Sequence, residues 1–187
     1  QAGDQFKEDP ARAKELLAAG LKELGMASLP ADLTLDYITN DVNKKVAEVI
    51  QAQLKKNLGV DVRLNAIERK SFIDAMRAGD YLLATYSTSA DFDDAINLLT
   101  QFMTGDGYNY GKYANPEYDR LLNQALKEPN AQKRADLMVA AEKVFIGDMG
   151  LVPLYYNTQV RLEQPRVKGV RWFPAATNDF SRASVRD

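Results

Sequence analysis

The sequence predicts an α/β fold, in which a sheet is flanked by helices. Apolar and polar side chains alternate over residues 33–38 and again over 60–65, and such alternation is typical of strands. Between these strands, residues 41–58 carry apolar side chains at helical spacing. A strand, a helix and a second strand in this order form a β-α-β unit, whose strands are parallel. A third apolar strand over residues 80–86 is expected to lie beside them.

Local end signals place the helices of the first half of the chain. Asp9 followed by Pro10 is typical of a helix start, and Gly25 follows the apolar repeat of that helix. Asn40 or Asp41 is expected to cap the long helix, because both side chains accept hydrogen bonds from unpaired backbone N–H groups. Gly59 is expected to end that helix. A shorter helix with an apolar stripe is predicted just before the third strand.

The second half of the chain is predicted to be mainly helical, with short strands near its end. One helix is expected to start near Asn115, which Pro116 follows, and another near Asn130. Short apolar segments over 151–156, 160–162 and 167–172 predict strands.

Composition excludes several classes of function. The 187 residues include no cysteine and no histidine, which rules out disulfides, thiolate catalysis, a Ser-His-Asp triad and nearly all zinc sites. A net charge of -2 gives no basic surface for nucleic acid, and charges interrupt every apolar run before it could cross a membrane. The glycine-rich segment 104–111 lacks the spacing of a phosphate loop. We therefore expect no cofactor, no metal, no nucleic acid and no direct membrane insertion.

The most informative segment is residues 81–99, where an apolar strand leads into a polar loop and then into a helix. Ligands of open α/β sheets bind just outside the carboxyl ends of the strands. Asp91 would lie there, and a carboxylate in that place can hold a cation such as a peptide ammonium group. Small residues before it would let a ligand approach the backbone closely: Ser87, Thr88, Ser89 and Ala90.

The two further carboxylates of this loop have a structural alternative. Asp93 or Asp94 could cap the helix that follows, since Asp is a favoured capping residue. This alternative is weaker for Asp91, which lies further from the helix.

Several segments of the chain together resemble one family, the extracytoplasmic solute-binding proteins of peptide ABC importers, in the oligopeptide- and dipeptide-binding group. The segments occur in the family's order across nearly the whole chain. They are residues 13–17, 54–62, 79–81, 90–92, 113–119, Leu122, 152–156 and 167–169.

This resemblance implies a two-lobed flytrap fold, of which residues 1–187 form a single domain, most of the C-terminal ligand-binding lobe, with a mixed sheet flanked by helices. The chain begins at Gln1 without a signal segment, and we expect it to be an excised piece or a mature fragment that lacks the partner lobe. The implied function is peptide binding, without catalysis, for delivery to the permease subunits of an ABC importer. The implied location is periplasmic or extracytoplasmic, with membrane association through the transporter or a lipid anchor.

The resemblance also assigns roles to the loop. Asp91 matches an Asp that pairs with the terminal ammonium of oligopeptide ligands, and the backbone of residues 87–89 could pair with the peptide main chain. The chain departs from the family at Ser87-Thr88, where many relatives have Gly or Trp, and after the loop, where Asp-Pro is common. The family's other ligands therefore stay open: dipeptides, murein tripeptide, nickel chelates, haem, glutathione and oligosaccharides.

Aromatic residues give further candidates. Tyr108 and Tyr156 are kept as ligand-binding candidates, because Tyr is common in binding surfaces. Core packing is preferred for three other tyrosines and for the single tryptophan: Tyr110, Tyr113, Tyr155 and Trp172.

Two other classes of protein remain possible. A hydrolase based on two carboxylates needs neither His nor Cys, and Asp91 could pair with Asp93 or Glu117. An interaction module is the other possibility, in which an isolated lobe dimerises through the surface that would meet its partner.

Overall fold

A computed structural model describes residues 8–155, 158, 160–173 and 178–186. The chain divides into two compact units, and the boundary lies between Ser87 and Thr88. The first unit contains a parallel sheet, and the second is mainly helical. No helix in these described ranges combines the length and the apolar character needed to cross a membrane.

The first unit alternates helices and strands, as the sequence predicts. The elements are α1 (Pro10–Glu23), β1 (Thr34–Ile38), α2 (Asp41–Leu58), β2 (Arg63–Ile67), α3 (Arg69–Ala78) and β3 (Leu83–Thr85). The three strands pair in the order β2-β1-β3, and both pairings are parallel.

The predicted end signals are confirmed in this unit. The Asp9 side chain accepts a hydrogen bond from the backbone N–H of Arg12 at the start of α1. The Asn40 side chain accepts one from the N–H of Asn43, 2.8 Å away, at the start of α2. Gly59 ends α2 with a φ of 71°, a left-handed conformation that glycine adopts without the strain a side chain adds.

The core of the first unit lies between the sheet and α2. Leu35 and Tyr37 of β1 are buried against Ala47 of α2, and α2 contacts both β1 and β2. The prediction that residues 41–58 pack on the sheet is therefore confirmed. The second strand starts later than predicted, because the carbonyl of Val62 accepts a hydrogen bond from Gln51 Nε2 (2.6 Å) and the ladder with β1 begins at Arg63.

The second unit pairs two longer helices and carries two short antiparallel ladders. The elements are α4 (Ile96–Leu99), a 3-10 turn (Thr100–Phe102), α5 (Pro116–Ala125), α6 (Ala131–Gly147), β4 (Val167–Lys168), β5 (Arg171–Trp172), β6 (Asn178–Asp179) and β7 (Ser184–Val185). Tyr118, Leu122 and Phe145 are buried where α5 and α6 pack together. Strand β4 pairs with β7, and β5 pairs with β6.

Three strand predictions in the last part of the chain need correction. Residues 151–155 form no strand, and the Tyr156 end of that segment lies outside the described residues. Val160 and Leu162 are 89% and 98% exposed and belong to no strand. The predicted strand over 167–172 is two short strands, because its two ends pair with different partners. Parallel and antiparallel pairings both occur, but in separate sheets.

Candidate functional site

The candidate segment follows the third strand of the parallel sheet along the chain. Leu83 and Thr85 of β3 pair with Leu35 and Tyr37 of β1, and the chain leaves the sheet after Thr85. Ser87, the last residue of the first unit, is exposed. The sequence prediction that a polar loop follows a strand end is therefore confirmed.

Residues 88–95, which we name the Asp91 loop, open the second unit. The backbone N–H of Asp91 donates a hydrogen bond to Asn97 Oδ1 across 2.8 Å. The Asp91 side chain is exposed, and its carboxylate forms no hydrogen bond or ion pair with the described residues of this unit. An ionised carboxylate only accepts hydrogen bonds. Asp91 therefore presents unused acceptor oxygens on a backbone that is held in place.

Asp94, at the other end of the loop, is fully engaged. Its Oδ1 accepts a hydrogen bond from the backbone N–H of Ile96 (2.9 Å), and its Oδ2 lies 2.8 Å from Arg134 Nη1. The hydrogen bond from Arg134 is the main cause that lowers the pKa of Asp94 below its ordinary value. The prediction that Asp93 or Asp94 caps the following helix is met only in part. Asp94 accepts the N–H of Ile96, the first helical residue, but the N-cap position is Ala95, which forms no side-chain capping bond. Asp93 is exposed and forms no such bond within the described part of the chain.

Ser89 and Ala90, just before Asp91, leave their backbone open within the described residues of this unit. Thr88 and Ser89 are exposed and Ala90 is half-buried, and none of them lies in a helix or strand. Within the described residues of this unit, the backbone N–H and C=O groups of Ser89 and Ala90 form no hydrogen bond. The Thr88 hydroxyl donates a long hydrogen bond to Gln101 Oε1, at 3.4 Å. This backbone is free to pair with an extended ligand.

Tyr108 is displayed on an ordered turn of the glycine-rich segment. Its side chain is 55% exposed, its backbone N–H donates to Asp106 Oδ1 (2.8 Å), and its ring meets Tyr110 edge to face at 6.4 Å. Asn109 holds the turn, because its Nδ2 donates to the carbonyl of Tyr113 at 2.7 Å. In the described residues, no hydrogen bond or ring contact joins Tyr108 to the Asp91 loop. Tyr156, the other candidate, lies outside the described residues.

The remaining aromatic residues differ in how far they are buried. The Tyr113 hydroxyl donates to Asp148 Oδ2 (2.7 Å), its ring packs on Phe145, and burial together with that hydrogen bond raises the pKa of Tyr113. Trp172 Nε1 donates to Glu163 Oε2 at 3.1 Å. The core-packing prediction is thus confirmed for Tyr113. Trp172 is half-buried, meets Phe180 edge to face at 6.0 Å and belongs to neither core cluster of the described residues. The prediction is wrong for Tyr155, which is 55% exposed.

Sequence reasoning missed two residues that shape the loop, Asn97 and Arg134. Asn97 lies in the short helix after the loop, and no sequence pattern indicates that its side chain holds the Asp91 backbone N–H. Arg134 lies in α6, far along the chain, and no local pattern relates it to Asp94.

The site gives little support to a pair of catalytic carboxylates. Both Glu117 oxygens bind Arg120, at 2.6 and 2.7 Å, and the Arg120 hydrogen bond lowers the pKa of Glu117. A general acid needs a raised pKa. In the described ranges, no three carboxylates group together in a way that could hold a metal ion. A carboxylate without a partner, next to backbone groups without hydrogen bonds, is typical of a ligand-binding site.

Comparison with known proteins identifies the class. Residues 1–110 match the family described as bacterial extracellular solute-binding proteins, family 5 Middle. The chain therefore belongs to the family 5 solute-binding proteins, which are binding proteins rather than enzymes. The resemblance that the sequence suggests is confirmed.

Individual relatives agree with this assignment. The chain is 38% identical over 181 residues to the dipeptide-binding protein DppE of Bacillus subtilis, covering 97% of this chain and 33% of that protein. It is 39% identical over 169 residues to the oligopeptide-binding protein OppA of the same organism, covering 88% and 31%. Haemophilus influenzae OppA, solved in complex with RPPGFSPFR, superposes with a TM-score of 0.76 at 34% identity, covering 87% and 32%. The chain thus spans about a third of its relatives' length, and the predicted flytrap-type α/β fold class is confirmed.

Proposed function

We propose that the full-length protein binds oligopeptides with a free amino terminus and delivers them to the permease of an ABC importer. Family membership and the similarity to dipeptide- and oligopeptide-binding proteins support the ligand class. The observation that carries the proposal is the Asp91 carboxylate, which is exposed, has no partner among the described residues of its unit and sits on a fixed backbone.

The physical reason concerns the charge of the ligand. Enclosing an ammonium group in a protein is costly unless the group is paired and hydrogen-bonded. A carboxylate provides that pair through charge-assisted hydrogen bonds, which are stronger than neutral ones. Because Asp91 has no cation of its own in the described part of its unit, its oxygens are available to the ligand.

Backbone pairing would supply affinity without selecting a sequence. The open backbone groups of Ser89 and Ala90 are assigned to the peptide main chain. The backbone of Ser87 and Thr88 next to them is proposed to pair with the same peptide. Tyr108 is assigned to a ligand side chain, since it presents an exposed ring on an ordered turn. Tyr156 keeps the same assignment because Tyr is common in binding surfaces.

Calorimetry on the full-length protein tests this function. Peptides of two to nine residues with free amino termini are compared with their N-acetylated forms. We expect the acetylated forms to bind at least roughly 30-fold more weakly, at about 1.4 kcal/mol per tenfold. Equal affinity for the two forms would contradict a site that reads the ammonium group. Tightest binding by the dipeptide would shift the ligand class to dipeptides.

The extent of the domain is part of the same proposal. We assign residues 1–187 to most of one lobe of a two-lobed protein, since the chain spans about a third of its relatives. A ligand enclosed by two lobes loses many contacts when one is absent, while the cost of association remains. The 187-residue chain by itself should therefore bind peptides far more weakly than the full-length protein. Comparable affinities would contradict the two-lobed site.

The remaining assignments each have a direct measurement. Mass spectrometry should find a bound peptide intact after incubation, and cleavage would favour the carboxylate hydrolase.

Fractionation should place the full-length protein outside the cytoplasm, held at the membrane by its transporter or a lipid anchor. Light scattering on the 187-residue chain tests the dimerising module.

A further inference from the structure

The Asp91 loop is held at its tip, Asp91, and at its base, Asp94, by side chains that are not expected to touch a ligand. At its tip, Asn97 Oδ1 accepts the hydrogen bond of the Asp91 backbone N–H (2.8 Å). Gln101 Nε2 donates to the Asn97 carbonyl at 3.2 Å, and the Thr88 hydroxyl reaches Gln101 Oε1 at 3.4 Å. A chain of hydrogen bonds thus ties Thr88 and Asp91 to α4 and the turn after it.

At the base of the loop, an ion pair connects to a longer helix. Arg134 Nη1 lies 2.8 Å from Asp94 Oδ2, and about a quarter of each side chain is exposed. Next to Asp94, Ile96 is buried in the helical core with Ala141 of α6. The base therefore moves only if the core moves, because closely packed interiors resist displacement.

We propose that Asn97 and Arg134 are positioning residues, which hold the Asp91 carboxylate in the place where it reads the ligand ammonium. The proposal rests on the proposed function of Asp91. Holding a loop before binding removes the cost of ordering it during binding. A carboxylate on a loosened loop would still attract a cation, but it would discriminate less between a charged and an acetylated terminus.

The test measures discrimination rather than affinity alone. For the full-length protein, the readout is the Kd of an N-acetylated pentapeptide divided by the Kd of the same peptide with a free amino terminus. Asn97→Ala and Arg134→Gln should each lower this ratio by roughly three- to tenfold. In a background of Asp91→Asn, the same changes should leave the ratio where Asp91→Asn alone puts it. A purely structural role would weaken both peptides equally.

Matched substitutions control for the chemistry of each change. Asn123→Ala removes an exposed amide from α5, and Arg120→Gln breaks an ion pair with Glu117 far from the loop sequence. Both controls should keep the wild-type ratio. Thermal unfolding and gel filtration report whether each variant folds. One folded positioning variant is sufficient for the comparison of the two ratios.

Two outcomes separate the failure of this proposal from that of the proposed function. If Asp91→Asn lowers the ratio but neither folded positioning variant does, the positioning role is wrong and the function of Asp91 stands. If Asp91→Asn leaves the ratio unchanged, the ammonium site is wrong and the positioning role falls with it.

Discussion

The tip and the base of the Asp91 loop contain the same kind of side chain in two different states. Asp94 at the base is used by the protein itself, because Arg134 and the N–H of Ile96 occupy its two oxygens. Asp91 at the tip has its backbone fixed, while its carboxylate has no partner in the described part of its unit. A carboxylate is therefore available for a ligand when the protein fixes its backbone and leaves its charge without a partner.

Replacing Asp91 with Asn should have the largest effect, and the effect should fall on binding. Losing a desolvated charge partner typically costs about 2–5 kcal/mol. Free-amino peptides should then bind roughly 30-fold more weakly or worse, at about 1.4 kcal/mol per tenfold. Calorimetry measures the affinity, and denaturant unfolding should show a change below about 0.5 kcal/mol. Equal losses for free and acetylated peptides would mean that Asp91 shapes the loop instead of reading the ammonium group.

Disturbing the helical core beneath the base of the loop should affect stability rather than peptide binding. In Gly150→Ala, the new Cβ would clash with the ring of Phe145, which is 3% exposed and packed against other rings. Overpacking of this kind should lower the free energy of unfolding by about 1–3 kcal/mol. Gly147→Ala is the control, since its Cβ would meet nothing within 4 Å. A folded Gly150→Ala protein with reduced peptide discrimination but normal stability would contradict the assignment of binding to the tip of the loop and of stability to its base.

Asp94→Asn should act mainly on stability. The amide oxygen can still accept the hydrogen bond of Ile96, but the charge facing Arg134 is lost. We expect the free energy of unfolding to fall by about 1 kcal/mol or less. Urea unfolding beside wild type measures the change. Any fall in peptide discrimination should stay well below that of Asp91→Asn, and a fall of similar size would show that tip and base act as one group.

Acid should remove the contribution of Asp94. Its pKa in the folded protein is held below the ordinary value of 3.8, chiefly by the hydrogen bond from Arg134. A lowered folded-state pKa stabilises the protein above the unfolded-state pKa, and this stabilisation is lost as the pH falls through the folded value. The stability difference between wild type and Asp94→Asn should therefore be constant at neutral pH and shrink below about pH 4. A difference that grows in acid would contradict the ion pair.

Asp93→Asn should have the smallest effect and provides a charge control for both neighbours. Asp93 is exposed and has no hydrogen bond or ion pair with the described residues. Stability should change by less than about 0.5 kcal/mol. Peptide affinity, measured by calorimetry, should change by less than about threefold, because an exposed charge is screened by solvent. A loss as large as that of Asp91→Asn would move the ammonium site to Asp93.

Predictions from the sequence succeed where the signal is local. Asp9, Asn40 and Gly59 mark helix ends through short-range backbone chemistry, and each does so in the structure. Predictions fail where a distant partner decides the outcome. Val160 and Leu162 have the composition of a strand but no strand to pair with among the described residues, and they are exposed. A ladder needs a second chain segment that a one-dimensional pattern does not specify.

The sequence by itself determined the α/β order of elements, the helix caps, the absence of His and Cys chemistry and the resemblance to peptide-binding proteins. It also singled out the segment with three carboxylates. Only the tertiary structure decided that Asp94 is engaged while Asp91 and Asp93 keep carboxylates without a partner among the described residues of their unit, because Arg134 reaches Asp94 through the packing of α6 with α4. Hydrophobic period and capping preference depend on neighbours in sequence, whereas the state of a charge depends on neighbours in space.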